Sequence, residues 1–358
     1  MWLEIAPALL ASSSFLAPTR NVTFASASTL LHWAPQTLAE PTVCVGSLMV
    51  GSSLANSWSG FAAEVNCNWA LAHGYSYFIL REHVLGAKVP VTWSKVLLAQ
   101  QLAQRTGPDA CAYIMILDAD AIVHTPERSV GALIDRFFLA RRHSTPPLVL
   151  YTSHEWRTEP GADEASSLGC PCLRASSRCS AAAILEEQAV FKCSINTGAF
   201  IVRNSDAALP LAATKATLND STNYTSTKPF LRFWIGAGGR CCVRCSQKTM
   251  EQRCTKFLKA QWPTQVDVVN ARLFNTLGKA CLDGTHPMSN SSLICHLMGV
   301  ASDQRLHAFA LELAARRGDL HALLRARGER YVHISKGAAA AETAVARGDK
   351  HPAALLSR

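Results

Sequence analysis

The chain has 358 residues, 49% of them hydrophobic and 17% charged, with a formal net charge of +9. That length and apolar content fill one large core or two closely packed halves and exclude a disordered or fibrous chain. The basic excess is not gathered into a block with interleaved aromatics, so it marks no nucleic-acid surface and suits anionic small ligands or an acidic membrane surface instead.

Residues 1–42 read as a lead-in. Met1 to Thr19 is apolar but interrupted by Glu4, Pro7 and Ser12 to Ser14, and no run of ~18 uncharged apolar residues is present to span a bilayer. A weak signal peptide, or a truncated anchor and stem, is the expectation. The main domain is expected over 43–305. It opens with a buried strand, Val43 to Val50, and a helix from Leu54 to His73 stopped by Gly74; Tyr75 to Leu80 is the second strand. Trp93 to Arg105 places Trp93, Val96, Leu97 and Leu102 on one face, which predicts a helix packed on a sheet and ended by Gly107-Pro108. Cys111 to Leu117 is a continuous apolar run, as in a central parallel strand covered on both faces, and Asp118 falls at its C-terminal end.

Pro126 and Glu127 open a predicted helix running to about His143, and strands follow at Pro147 to Thr152 and Ile195 to Val202. The segments Cys170 to Cys193 and Phe230 to Cys254 read as cysteine-rich, loop-rich insertions. Glu251-Gln252 precedes an apolar-periodic helix to Trp262, then Val266 to Val269 reads as a strand. Strand and helix alternate, so the fold class is α/β with a mostly parallel sheet flanked by helices. From 306 to 358 the chain is an Ala/Arg-rich extension with a helical pattern over Leu306 to Leu324; it reads as peripheral, with a poorly apolar, disordered end.

Thirteen cysteines point to an oxidising compartment and disulfides, notably Cys170, Cys172, Cys179 and Cys193, then Cys241, Cys242, Cys245 and Cys254. A zinc site through Cys242, Cys245 and Cys254 is the alternative, although no second pair stands at finger spacing. Acceptor triplets at Asn21, Asn219, Asn223 and Asn290 agree with a lumenal setting.

Four groups carry candidate chemistry. Asp118 and Asp120, one residue apart at a strand end, project the same way and can chelate a hard cation that also holds a diphosphate; the alternative is a capping or turn pair. Asn196 in Ser194-Ile-Asn-Thr-Gly198 offers a donor and an acceptor to sugar hydroxyls, with Gly198 permitting close backbone approach; the alternative is a β-bulge with an Asn turn. His296 is a metal ligand or a satisfied core histidine. Gln252 is a sugar-hydroxyl ligand or an ordinary helix residue.

In this order the pieces resemble the galactosyl/xylosyltransferases of glycosyltransferase family 34, which includes yeast-type α-mannan galactosyltransferases and plant xyloglucan xylosyltransferases. The resemblance is carried by Trp93-Ser-Lys95, Tyr113 to Val123 around Asp118-Ala-Asp120, Asn196 to Asn204, and Glu251-Gln252 with Arg272-Leu-Phe-Asn275 leading to His296-Leu-Met-Gly299. It implies a Rossmann-like GT-A fold, Mn²⁺, a UDP-sugar donor and a glycan acceptor, with no nucleic-acid partner. Carried over, Asp118, Asp120 and His296 bind the metal. Asn196, Gly198 and Gln252 line the donor sugar and the reaction site, with Asn196 and Gln252 as the catalytic candidates. Lys95, Gly299 and Arg305 lie on the nucleotide side, Lys95 near the phosphates or bracing the Asp-x-Asp strand. Transfer would be of galactose or xylose with retention, by front-face displacement in which leaving phosphate deprotonates the acceptor. The secretory pathway, in the Golgi lumen, is the implied location, with membrane association through an N-terminal segment not evident here.

Three departures stand against the resemblance: the cysteine-rich insertions, a membrane anchor that is not evident, and Val300 to Arg305 in place of the plant-type continuation, with Arg305 standing in at longer spacing for a basic phosphate contact. Two rivals follow from the residues. A haloacid-dehalogenase-like phosphohydrolase would use Asp118 as nucleophile, but Ile122 occupies the position of its Thr or Val, and no later paired acids follow a strand with the expected Lys. An inactive glycan-binding transferase fold is the other.

Overall fold

A computed structural model describes residues 30–51, 57–83, 91–103, 105, 107, 110–139, 146–153, 179–187, 195–204, 259–260, 263–269, 271–277, 292–298 and 302–335. Its strands are β1 (Leu30–Trp33), β2 (Val43–Leu48), β3 (Ser76–Leu80), β4 (Tyr113–Asp118), β5 (Ala121–Val123), β6 (Val149–Ser153), β7 (Ile195–Arg203), β8 (Val266–Val269), β9 (Asn275–Leu277) and β10 (Ile294–His296). Its helices are α1 (Trp58–Ala72), α2 (Ser94–Ala103), α3 (Gly131–Ile134), α4 (Ala181–Glu187), α5 (Ala271–Phe274) and α6 (Ser302–Ala326).

Among the described residues, seven strands form one sheet in the order β1-β3-β2-β4-β7-β6-β8. β3, β2 and β4 are parallel neighbours, as are β6 and β8, while β7 runs antiparallel to both β4 and β6. The expected α/β sheet flanked by helices is therefore present. Two apolar layers explain why β2 and β4 read as unbroken apolar runs: Val45, Met115 and Leu117 face one, Cys44, Ile114 and Ile116 the other. The disulfide Cys44–Cys111 ties the entry of β4 to its neighbour β2. Cys179 and Cys295 are also disulfide-bonded; the other cysteines of the two insertions, the four acceptor asparagines and the end of the tail lie outside the described residues.

Several local expectations need correction. Leu30 to Trp33, read within the lead-in, forms an antiparallel edge strand on β3, with His32 stacked on Phe78 at 4.2 Å between ring centroids. The helix expected from Pro126 begins only at Gly131 and passes into a π-turn over Asp135–Leu139, because Thr125 to Arg128 closes a turn first. Helix α1 stops at Gly74 as expected, where φ is +74° and a Cβ would be strained.

The described part of the extension, to residue 335, is not peripheral. α6 lies along α1 and buries Phe309, Leu313, Leu320 and Leu324. Covered by the sheet on one side and α6 on the other, α1 is buried from Ser59 to Ala72, including Glu64, Asn66 and Asn68. Each of those polar residues must then be satisfied internally, and each is. Glu64 accepts from Tyr331 Oη and from the Ile334 and Ser335 N–H groups, and Asn68 exchanges two bonds with the Val332 backbone, so residues 331–335 are strapped to α1.

Candidate functional site

Asp118 ends β4, at the carboxyl edge of the parallel strands where open α/β sheets bind ligands. The chain turns through Ala119 and Asp120 into the short strand β5, which leaves the main sheet and pairs antiparallel with β10 in a second sheet ordered β5-β10-β9. Ala121 lies opposite His296, and the Leu297 N–H donates to the Asp120 carbonyl at 2.8 Å. On its other edge β5 is held by Asn66 of α1, whose Nδ2 donates to the Ala121 carbonyl and whose Oδ1 accepts the Val123 N–H, both at 2.9 Å. A buried side-chain amide thus does the work of a neighbouring strand.

This clamp brings Asp118, Asp120 and His296 together: one ligand atom from each lies within 4.8 Å of the others. His296 Nε2 is 3.0 Å from Asp120 Oδ1, and the imidazole is 2% exposed. Its Nδ1 has no hydrogen-bond partner among the described residues. The ring lies directly over Gly198. A Cβ built there would be 2.7 Å from Nε2 and nearer still to Nδ1 and Cε1, so only glycine admits the histidine. The close approach that the sequence suggested at Gly198 is real, and what approaches is His296.

Two cations of the protein hold the carboxylates. Lys95 Nζ, 1% exposed, is 2.7 Å from Asp118 Oδ1 and donates to the Thr197 carbonyl at 3.1 Å, which links α2, β4 and β7. Arg305 Nη1, from the first turn of α6, is 3.4 Å from Asp120 Oδ2, with its guanidinium over the Trp58 ring at 5.2 Å. Burial acts to raise the Asp120 carboxyl, but the hydrogen bond and charge of His296, then Arg305, outweigh it and hold the group below the usual carboxylate value.

The donor set fits a divalent cation. Ligand atoms of an octahedral ion with bonds of about 2.1 Å stand about 3 Å apart when adjacent and about 4.2 Å when opposite. Two carboxylate oxygens and one imidazole nitrogen suit Mn²⁺ and its neighbours better than a soft ion. Among the described residues Lys95 and Arg305 balance Asp118 and Asp120, so a divalent ion would add positive charge to this group, a setting for an anion such as a diphosphate.

Asn196 shows both features of the alternative reading: its Oδ1 accepts the Gly198 N–H at 2.7 Å, and the β6–β7 register shifts between Leu150 and Thr152. Its Nδ2 nevertheless has no partner among the described residues. Gln252 and Gly299 lie outside the described residues, as does the side chain of Trp93. Sequence reading passed over Asn66 and the stacking of Trp58 on Arg305; the polar triplet Glu64, Asn66 and Asn68 inside an apolar helix was the available signal.

No family model and no curated protein matches the chain. Among solved structures, it is similar to a glycosyltransferase involved in glycosylation of the major capsid of the virus PBCV-1, at 12% identity and a TM-score of 0.46, over 76% of this chain and 100% of that one. It is also similar to the galactosyltransferase LgtC in complex with donor and acceptor sugar analogs, at 10% identity and a TM-score of 0.38, over 77% and 99%. Mouse xyloside xylosyltransferase 1 follows at 10% identity and 0.36, over 72% and 98%. At such scores the likeness says nothing of what this chain acts on.

Proposed function

We propose that the chain is a metal-dependent glycosyltransferase that moves a hexose or pentose, galactose or xylose, from a UDP-sugar to a glycan hydroxyl with retention of configuration. One observation carries this reading: Asp118, Asp120 and His296, from distant parts of the chain, converge within 4.8 Å at the carboxyl end of the parallel strands. These three residues would hold Mn²⁺, which when bound supplies Lewis-acid neutralisation of charge on the departing diphosphate.

The remaining roles belong to the chain's own residues. Lys95 fixes Asp118 against β7, so that this carboxylate is preset rather than free to turn. Arg305, held between Asp120 and Trp58, is placed to turn its guanidinium to a diphosphate once Asp120 is otherwise engaged. Asn196 and Gln252 are assigned to the donor sugar and the reacting centre, and Gly299 to the nucleotide side. A half-buried acid pair completed by a buried histidine favours this reading over a phosphohydrolase with Asp118 as nucleophile. The disulfides of Cys44, Cys111, Cys179 and Cys295 support an oxidising compartment, for which we propose the Golgi lumen. None of the described helices is long and apolar enough to cross a membrane.

Mn²⁺-dependent hydrolysis measured across a panel of UDP-sugars tests the proposal. One donor is expected to be turned over, with loss of activity on EDTA treatment and in Asp120→Ala. Equal activity in Asp120→Ala would overturn it.

A further inference from the structure

Beside the acid–histidine cluster, two buried amides leave half of their hydrogen-bonding capacity unused, and one threonine joins them. Asn196 is 1% exposed; its Oδ1 is committed to the Gly198 N–H, which fixes the amide's orientation and leaves Nδ2 without a partner among the described residues. Asn275, fully buried at the start of β9, reaches Thr152 Oγ1 only at 3.5 Å, and its Oδ1 has no partner among the described residues. Thr152 is the Cα partner of Asn196 on the far side of the β6–β7 register shift. Residues opposite one another in an antiparallel pair hold their Cβ atoms roughly 5 Å apart.

Two strands tie this group to the cluster. Asn196 precedes Gly198, which lies under His296, by two residues of β7, about 7 Å of chain. Asn275 stands opposite Ile294 in the β9–β10 ladder, two residues before His296. An open donor and an open acceptor, both buried, match a ligand group that donates and accepts together. A hydroxyl does so. A phosphate or carboxylate would face Asn275 Oδ1 with like charge, and an ammonium has no lone pair for Asn196 Nδ2.

We infer that Thr152, Asn275 and Asn196 form a subsite for a ring hydroxyl of the donor sugar, with Thr152 positioning the Asn275 amide. The inference rests on the nucleotide-sugar reading of the cluster and adds Thr152 and Asn275 as determinants of sugar recognition.

Calorimetric titration of the full chain with Mn²⁺ plus UDP, and with Mn²⁺ plus UDP-galactose or UDP-xylose, separates the two. Thr152→Val removes the hydroxyl at constant shape, and Asn275→Ser removes the amide should the valine variant fail to fold. Either is expected to bind UDP within about twofold of the parent while the preferred UDP-sugar weakens about tenfold, the loss of one buried hydrogen bond, with Thr152→Ser restoring it. Equal weakening toward UDP and UDP-sugar, or no weakening toward either, overturns the subsite and leaves the transferase reading standing. A parent chain that binds neither ligand overturns both.

Discussion

Adding one methyl group at Gly198 sets the backbone of β7 against the imidazole of His296. The new Cβ would lie 2.7 Å from Nε2 and closer to the neighbouring ring atoms, whereas ordinary contact begins at 3.4 Å. The ring must therefore retreat by about 0.7 Å at Nε2 and further elsewhere, and metal–ligand bonds tolerate only about 0.2 Å. His296 is then lost as a ligand. Removing only the outer-shell support of a ligand lowers metal affinity roughly 10- to 100-fold, about 1.4 to 2.8 kcal/mol, so a loss of at least that size is expected. Overpacking of this kind also costs about 1–3 kcal/mol of stability. Mn²⁺ titration and UDP-sugar hydrolysis in Gly198→Ala, His296→Ala and the double variant form the assay. Because the methyl group has room once the ring is gone, the double variant is expected to be no worse than His296→Ala alone. Unchanged Mn²⁺ affinity in Gly198→Ala, or losses that multiply in the double variant, would refute the reasoning.

Glu64→Gln weakens a buried acceptor of three hydrogen bonds that also faces Arg317 at 3.7 Å. A loss of about 3 kcal/mol in urea unfolding is expected, with faster proteolysis near residues 331–335. Replacing Cys44 and Cys111 together by alanine opens a loop with a sequence separation of 67 and is expected to cost up to about 4 kcal/mol; an unchanged melting temperature would show that the bond constrains little. Burial lowers the pKa of His73 from its ordinary 6.5, outweighing the Pro126 carbonyl that its Nε2 contacts. The folded state thus binds fewer protons, so stability from this group is present above about pH 6.5 and lost as pH falls through and below that value. The melting temperature should fall between pH 7 and 5, and less steeply in His73→Gln; parallel profiles would exclude His73 as the cause.

Strands β2, β3, β4, β6, β7 and β8 and the end of α1 were legible because their signals are local. β2 and β4 announce themselves as unbroken apolar runs, Gly74 ends α1, and Asp118 falls at a strand end by simple counting. The turn at Thr125 to Arg128 was misread as helix because Pro at a first helical position and Pro in a turn present the same local pattern. The importance of α6 was missed for another reason: the buried side of α1 shows on α1, but which partner covers it does not.

From the sequence alone come the α/β class, the acid pair at a strand end, and a glycine on β7 suited to close approach. Tertiary structure decided that His296 belongs with those acids. Its Nε2 meets Asp120 across 176 residues because β10 pairs with β5 and Asn66 clamps the opposite edge. Such pairing is set by loop closure and ladder register between distant segments, which no period in the local pattern records.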